Sequence, residues 1–286
     1  MHINWYPGHM TKARRDVESS LKLIDIAIEI VDARAPKASR NPEFESLIGS
    51  REHIIVLNKA DLADDKKINE WAKYYKSKGF GVIKYVAIRT GAKEQMINSI
   101  NTICASLINR YKARGINKVL RIMVLGIPNS GKSTFINSMA GLAKTKTGDK
   151  PGVTIGKQWV KITPYLELLD TPGMLWPKLE DQNLAKHLAY VGSIKDDILD
   201  IEELALEFIA DMKEMYPEAL MERYKLTELN ENNYICLTDI AKKRGFKLSK
   251  DEWDTARAAK ALLGDFRAGK LGKITLESVT YEQEDN

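Results

Sequence analysis

The chain has 286 residues, 44% hydrophobic and 29% charged, enough for two compact domains or one large one and too apolar for wholesale disorder. No stretch approaches the roughly 18 uncharged apolar residues that cross a bilayer, Met1-His2-Ile3-Asn4-Trp5-Tyr6-Pro7 lacks the basic-then-apolar pattern of a secretory leader, and Cys104 and Cys236 are too few for a disulfide framework or a zinc site, so a reducing cytoplasm is expected. The net charge of +5 is unevenly spread: residues 1–186 carry 30 basic and 18 acidic residues and residues 187–286 carry 14 and 21, a contrast that predicts two units with different surfaces and is compatible with a nucleic-acid partner.

Along the chain, Ile24–Val31 and His53–Leu57 read as strands, Asp65–Lys78 as a helix and Gly81–Val86 as a third strand. A helical stretch, Lys93–Ala113, precedes a fourth strand, Val119–Leu125; a short helix, Thr134–Met139, and a fifth strand, Tyr165–Leu169, follow. This alternation predicts an α/β unit with a mostly parallel sheet covered on both faces, whose ligands lie beyond the carboxyl ends of the strands. From about Asn183 the strand signal fades. Ile201–Ile209, Tyr234–Arg244 and Asp251–Leu263 have helical spacing, with Pro217 and Gly245 as punctuation. Residues 1–182 are therefore expected to form the α/β unit and residues 183–286 a small all-helical one.

Gly126-Ile127-Pro128-Asn129-Ser130-Gly131-Lys132-Ser133 fits G-x-x-x-x-G-K-[ST] between a strand and a helix. In that setting backbone N–H groups of Asn129, Ser130, Gly131, Lys132, Ser133 and Thr134 turn toward phosphates, helped by the helix dipole. Lys132 reaches the β- and γ-phosphates, and the Ser133 hydroxyl binds Mg²⁺. Asp170, at the end of Leu168-Leu169-Asp170-Thr171-Pro172-Gly173, can hold the same Mg²⁺, and Gly173 can sense a γ-phosphate. Thr154, in the polar stretch between them, is a candidate to close over the metal. Asn58-Lys59-Ala60-Asp61 follows the second strand. A carboxylate at Asp61 accepts from N1–H and the exocyclic amine of guanine, a pair of donors that adenine lacks. Asn58 supports the base edge, and the stem of Lys59 covers the ring. Alone, N-K-x-D is weak, because the same residues cap helices; joined to a phosphate loop it is strong.

The order of these motifs is unusual, since N-K-x-D at 58 precedes the phosphate loop at 126. The sequence thereby resembles the circularly permuted P-loop GTPases. Trp5-Tyr6-Pro7-Gly8-His9-Met10, Asp32-Ala33-Arg34-Ala35-Pro36, Ser39-Arg40-Asn41-Pro42 and Asp170-Thr171-Pro172-Gly173-Met174-Leu175-Trp176-Pro177 narrow the resemblance to the bacterial ribosome biogenesis GTPase A family, over essentially the whole chain. It implies a cytoplasmic GTPase, expected to be a monomer, that binds GTP and GDP and contacts ribosomal RNA in late assembly of the large ribosomal subunit. The family's guanine-supporting loop departs here to Val86-Ala87-Ile88-Arg89; Val86 and Ala87 stay candidates because their backbone, not their side chains, would contact the base.

Met174 stands where many GTPases carry a water-orienting glutamine. The resemblance points to His9 as the group that positions the attacking water. Asn129 is a candidate ligand for K⁺, by analogy with other GTPases that lack this glutamine. Residues 242–273 carry 10 basic and 4 acidic residues, against 4 and 13 in residues 187–241. Lys242, Lys243, Arg244, Lys247, Arg257, Lys260, Arg267 and Lys270, with Lys12, Arg14 and Arg15 at the other end, are the expected RNA contacts. A nucleotide-regulated RNA-binding module with negligible turnover is the alternative reading; service in tRNA modification or transport has no supporting motif.

Overall fold

A computed structural model gives the structure of residues 3, 9–141, 158–176, 179–250 and 252–280. Six strands form one sheet: β1 Ile26–Asp32, β2 Glu52–Asn58, β3 Gly81–Lys84, β4 Leu120–Gly126, β5 Gln158–Thr163 and β6 Leu166–Asp170, in the order β3-β2-β1-β4-β6-β5. All neighbours are parallel except β5 against β6. β1 is central and fully buried, as its Ile- and Val-rich run requires of a strand covered on both faces. Six helices accompany the sheet: α1 His9–Ser20, α2 Glu43–Ile48, α3 Asp65–Ser77, α4 Ala92–Ile103, α5 Ala105–Ala113 and α6 Lys132–Ala140.

The five expected strands are present, each with its bounds moved by one or two residues. β5 was not among them, although the alternation Trp159-Val160-Lys161-Ile162 carries the period of a half-buried strand, with Trp159 exposed and Val160 buried. The single helix expected over 93–113 is two, α4 and α5, separated at Cys104 (φ −93°, ψ 16°). Burial pushes the Cys104 thiol up to about 12, so it behaves as a packing group.

Register sets the site. Asp32 of β1 lies opposite Asn58 of β2, Ile30 opposite Gly126 of β4, and Val124 of β4 opposite Asp170 of β6. The carboxyl ends of four parallel strands thus bring the motifs together at one edge. Beneath this edge, the wholly buried Glu29 of β1 accepts from Arg40 (3.1 Å) and the Asn41 N–H (3.0 Å), with His53 at 3.2 Å. Burial alone raises a carboxyl pKa, but His53, Arg40 and the Asn41 N–H outweigh it and leave Glu29 below its ordinary value.

Five further helices follow: α7 Gln182–Tyr190, α8 Ile201–Met215, α9 Pro217–Tyr224, α10 Asn233–Arg244 and α11 Thr255–Arg267. Their starts are chemically marked. Asp181, Asp200, Asn232 and Asp254 each accept backbone N–H groups of the first turn, and Pro217 opens α9. Tyr190, Phe208 and Phe266 join α7, α8 and α11, with both Tyr190–Phe208 and Phe208–Phe266 centroids 5.0 Å apart.

The described residues after α11, 268–280, are not helical but return to the sheet's loops. Ile274 N–H donates to Leu62 O, Leu276 N–H to Arg34 O, and the Thr275 hydroxyl to Ala33 O. The Glu277 carboxylate accepts from Ala38 N–H and lies 2.9 Å from His187 Nδ1. The helical part is therefore stitched to the α/β part by its own carboxyl-terminal strand of chain.

Candidate nucleotide-binding site

β4 ends at Gly126, the phosphate loop turns through Ile127–Gly131, and α6 begins at Lys132. Gly131 (φ 92°) is the residue that the turn requires, since a Cβ there would collide with the Asn58 amide. The Asn58 side chain donates to Ser130 O at 3.0 Å, so the N-K-x-D segment and the phosphate loop brace each other. Lys132 Nζ contacts Asp170 Oδ1 at 2.6 Å, both groups buried. Burial draws the Lys132 ammonium pKa down, opposed by the Asp170 charge.

Asp170 Oδ2 is buried with no hydrogen-bond partner among the described residues. A buried carboxylate oxygen of this kind suits an oxygen-seeking divalent cation, and Ser133, directly after the Lys132 that pairs with Asp170, brings a hydroxyl into the first turn of α6. The observed donor set therefore fits Mg²⁺.

Lys59, in the left-handed region (φ 56°), extends its ammonium to Asn129 O at 2.9 Å and Asp32 Oδ2 at 2.8 Å. Asp61 lies in the short turn Ala60–Leu62 and is exposed, its carboxylate open to a base. Ala60 N–H donates to Tyr85 O, which brings the Val86–Ala87 turn beside Asp61. Asp32 is held in turn by Arg34, through Nε at 2.9 Å and Nη2 at 2.8 Å. Burial pushes the Asp32 carboxyl up, but the Arg34 and Lys59 charges pull harder and keep it well below the usual carboxylate range.

The segment after Asp170 lies against the phosphate loop. A Cβ on Gly173 would stand 3.0 Å from Pro128 N, and Met174 N–H donates to Gly126 O. Asn41 Nδ2 donates to Met174 O at 3.1 Å. Met174 is buried, so its side chain is a packing group. Thr154 and the side chains of His9 and Lys12 lie outside the described residues; the backbone of His9 opens α1.

The basic candidates divide. Lys243 and Lys260 are exposed, Lys242 is exposed beside Asp239, and Lys247 and Arg257 lie over the rings of Trp253 and Phe246. Arg244 pairs with Asp265, with Lys270 3.4 Å from the same carboxylate. Arg15 is exposed, whereas Arg14 bonds Glu18 and Glu43, each at 3.0 Å.

One side chain differs from expectation. Arg267 is expected among the RNA contacts. Its guanidinium instead donates to Tyr190 O (3.0 Å) and Ala189 O (2.8 Å) and pairs with Asp196, because α7 ends there with carbonyls that need donors. Asn129, read as a cation ligand, turns its amide nitrogen to Gly192 O at 2.6 Å. Asp32, Arg34 and Asn41 were quoted in the sequence only as parts of motifs. Polar residues directly after a predicted strand were the available signal for Asp32 and Arg34; Asn41 had none, since its partner is a backbone carbonyl 133 positions away.

A phosphate loop after a strand, an N-K-x-D turn braced against it and a D-x-x-G segment, with N-K-x-D first in the chain, define a circularly permuted P-loop GTPase. Residues 121–238 match the family of 50S ribosome-binding GTPases. The chain is 43% identical to a ribosome biogenesis GTPase A of Bacillus cereus, over 97% of this chain and 94% of that protein. It is 30% identical to that of Thermotoga maritima, over 96% and 94%. The solved structure of GNP-bound YlqF from Thermotoga maritima superposes with a TM-score of 0.66 at 26% identity, covering 93% of this chain and 98% of that one. This chain belongs to the ribosome biogenesis GTPase A family: it is an enzyme that hydrolyses GTP and acts in ribosome assembly.

Proposed function

We propose that the protein docks on ribosomal RNA of a large-subunit precursor in its GTP state and leaves after hydrolysis. The observation that carries this reading is the set of exposed basic residues at the end of α10, in the turn after it and within α11: Lys242, Lys243, Lys247 and Lys260. Such a face neutralises phosphates and makes binding salt-dependent. The match of residues 121–238 to the 50S ribosome-binding GTPases supports the large subunit as the particle. No helix among the described residues is long and apolar enough to cross a membrane, which is compatible with action in the cytoplasm. Lys242→Glu/Lys243→Glu/Lys260→Glu should lose most co-sedimentation with large-subunit precursors while keeping GTP affinity. Undiminished co-sedimentation would remove this face from the reading.

Ser133 and Asp170 would hold Mg²⁺, with Thr154 as the candidate third ligand, and the cation would supply positive charge at the phosphoryl group. Lys132 adds charge at the β- and γ-phosphates, and Gly173 N–H reports the γ-phosphate. The attacking water needs a polar group other than buried Met174, and His9, at the start of α1, takes that role. Asn129 would hold K⁺ through its side-chain carbonyl oxygen, and the cation would supply charge where an arginine otherwise acts. His9→Ala is expected to lower particle-stimulated turnover roughly a hundredfold with GTP affinity unchanged. The same turnover assay should run faster in potassium than in sodium salts. Equal rates in wild type and mutant would strike His9 from the mechanism, and equal rates in the two salts would strike the cation.

A further inference from the structure

We propose that Asp32 and Arg34 are positioning residues for the guanine nucleotide, and that the helical part completes the nucleotide site through them. The proposal rests on the reading of N-K-x-D as the guanine site, in which the Lys59 stem covers the base; the Lys59 ammonium is held by Asp32 (2.8 Å). Asp32 is held by the two bonds from Arg34. The remaining arm of Arg34, Nη1, donates to Phe266 O at 3.0 Å and Arg267 O at 3.1 Å, the last carbonyls of α11. Both Asp32 and Arg34 are buried, and the guanidinium also stacks on the Phe266 ring, 4.9 Å from its centroid. A chain of charge-assisted bonds therefore runs from the end of α11 to the base-covering lysine.

A second line reaches the same place. The turn after α7 touches the phosphate loop directly, Asn129 Nδ2 on Gly192 O at 2.6 Å and Ser193 Oγ on Pro128 O at 2.8 Å. Arg267 binds the end of α7 to the end of α11 through Tyr190 O and Ala189 O. The two lines meet at Lys59, which also bonds Asn129 O. One corner of the helical part thus fixes both halves of the nucleotide cradle.

Geometry gives the reason for a positioning role. Lys59 is a flexible side chain with a partly exposed tip, and it covers a base only if its rotamer is held. Asp32 supplies an anchor whose own orientation is set from the helical part. By linkage, whatever moves α11 against β1 changes nucleotide affinity, and nucleotide binding changes the freedom of α11 by the same factor.

The test is release of a fluorescent GDP analogue from the full chain, read beside thermal stability. Arg34→Gln should speed release about tenfold. Ser193→Ala, which removes a neutral donor and leaves no buried charge, should speed it roughly threefold. Tyr216→Phe cuts a different bond between the helices and the returning chain, the hydroxyl on Thr275 O at 3.0 Å, and should lower stability without changing release. Hydrolysis of bound GTP, measured in a single turnover per occupied site, should be unchanged in Tyr216→Phe. Release that rises only in proportion to lost stability, with Tyr216→Phe on the same line, would overturn the proposal, as would unchanged release in Ser193→Ala. If Arg34→Gln does not fold, the comparison of Ser193→Ala with Tyr216→Phe decides alone.

Discussion

Lys132→Met should lose at least about a hundredfold in GTP affinity, through the removed charge at the phosphates, and should also unfold more easily. The second effect comes from the partner left behind. Asp170 is buried, one of its oxygens already has no hydrogen-bond partner among the described residues, and Lys132 satisfies the other. Removing one member of a buried ion pair typically costs about 3 kcal/mol, because the survivor keeps its desolvation penalty. The double variant Lys132→Met/Asp170→Asn should therefore recover stability to within about 1 kcal/mol of wild type while hydrolysis stays lost. Denaturant unfolding and nucleotide titration on the two variants check this. A single variant as stable as wild type would show that the pair is not what holds this edge of the sheet.

Asp61→Asn should leave the fold intact and change the base that is read. The residue is exposed, so stability has little to lose. Two hydrogen bonds from guanine to an ionised carboxylate are replaced by one acceptor and one donor, a loss of about 3 kcal/mol or two orders of magnitude in GTP affinity. The new donor suits a base with a C2 carbonyl, so xanthine nucleotides should gain as guanine nucleotides lose. Competition between GTP and XTP for the variant measures both directions at once. Retained preference for GTP would move guanine reading away from Asp61 to the Val86–Ala87 turn.

Much of the site was visible in the sequence because its chemistry is local. The phosphate loop needs glycines and a lysine at fixed spacing, and N-K-x-D needs four consecutive residues; both were readable from short windows. The parallel sheet followed from β-branched runs alternating with helices, since strands buried on both faces are uniformly apolar. What escaped was non-local. β5 pairs antiparallel at an edge, where a short alternating pattern is weak against its neighbours. Arg267 looked like the other basic residues of its stretch, and only the fold shows that it meets the end of α7, 77 positions away. Arg34 and Phe266 are separated by 232 positions, a distance over which no spacing rule operates. The acidic total of residues 187–286 was likewise a poor guide, because 10 of its 14 basic residues fall within 242–273.

The permuted order also decides what the nucleotide-sensing segment is attached to. Because β6 comes last in the sheet's chain order, the Thr171–Gly173 segment does not lead back into another strand. Eleven residues after Asp170 the chain is already entering α7. The stretch proposed to meet the γ-phosphate is thus also the covalent tether of the helical part, with Asn41 donating to it at Met174 O. Opening the ancestral loop elsewhere would have left phosphate and appendage to communicate only through packing. Here the segment that holds Gly173 against Pro128 is continuous in the backbone with the first helix of the helical part.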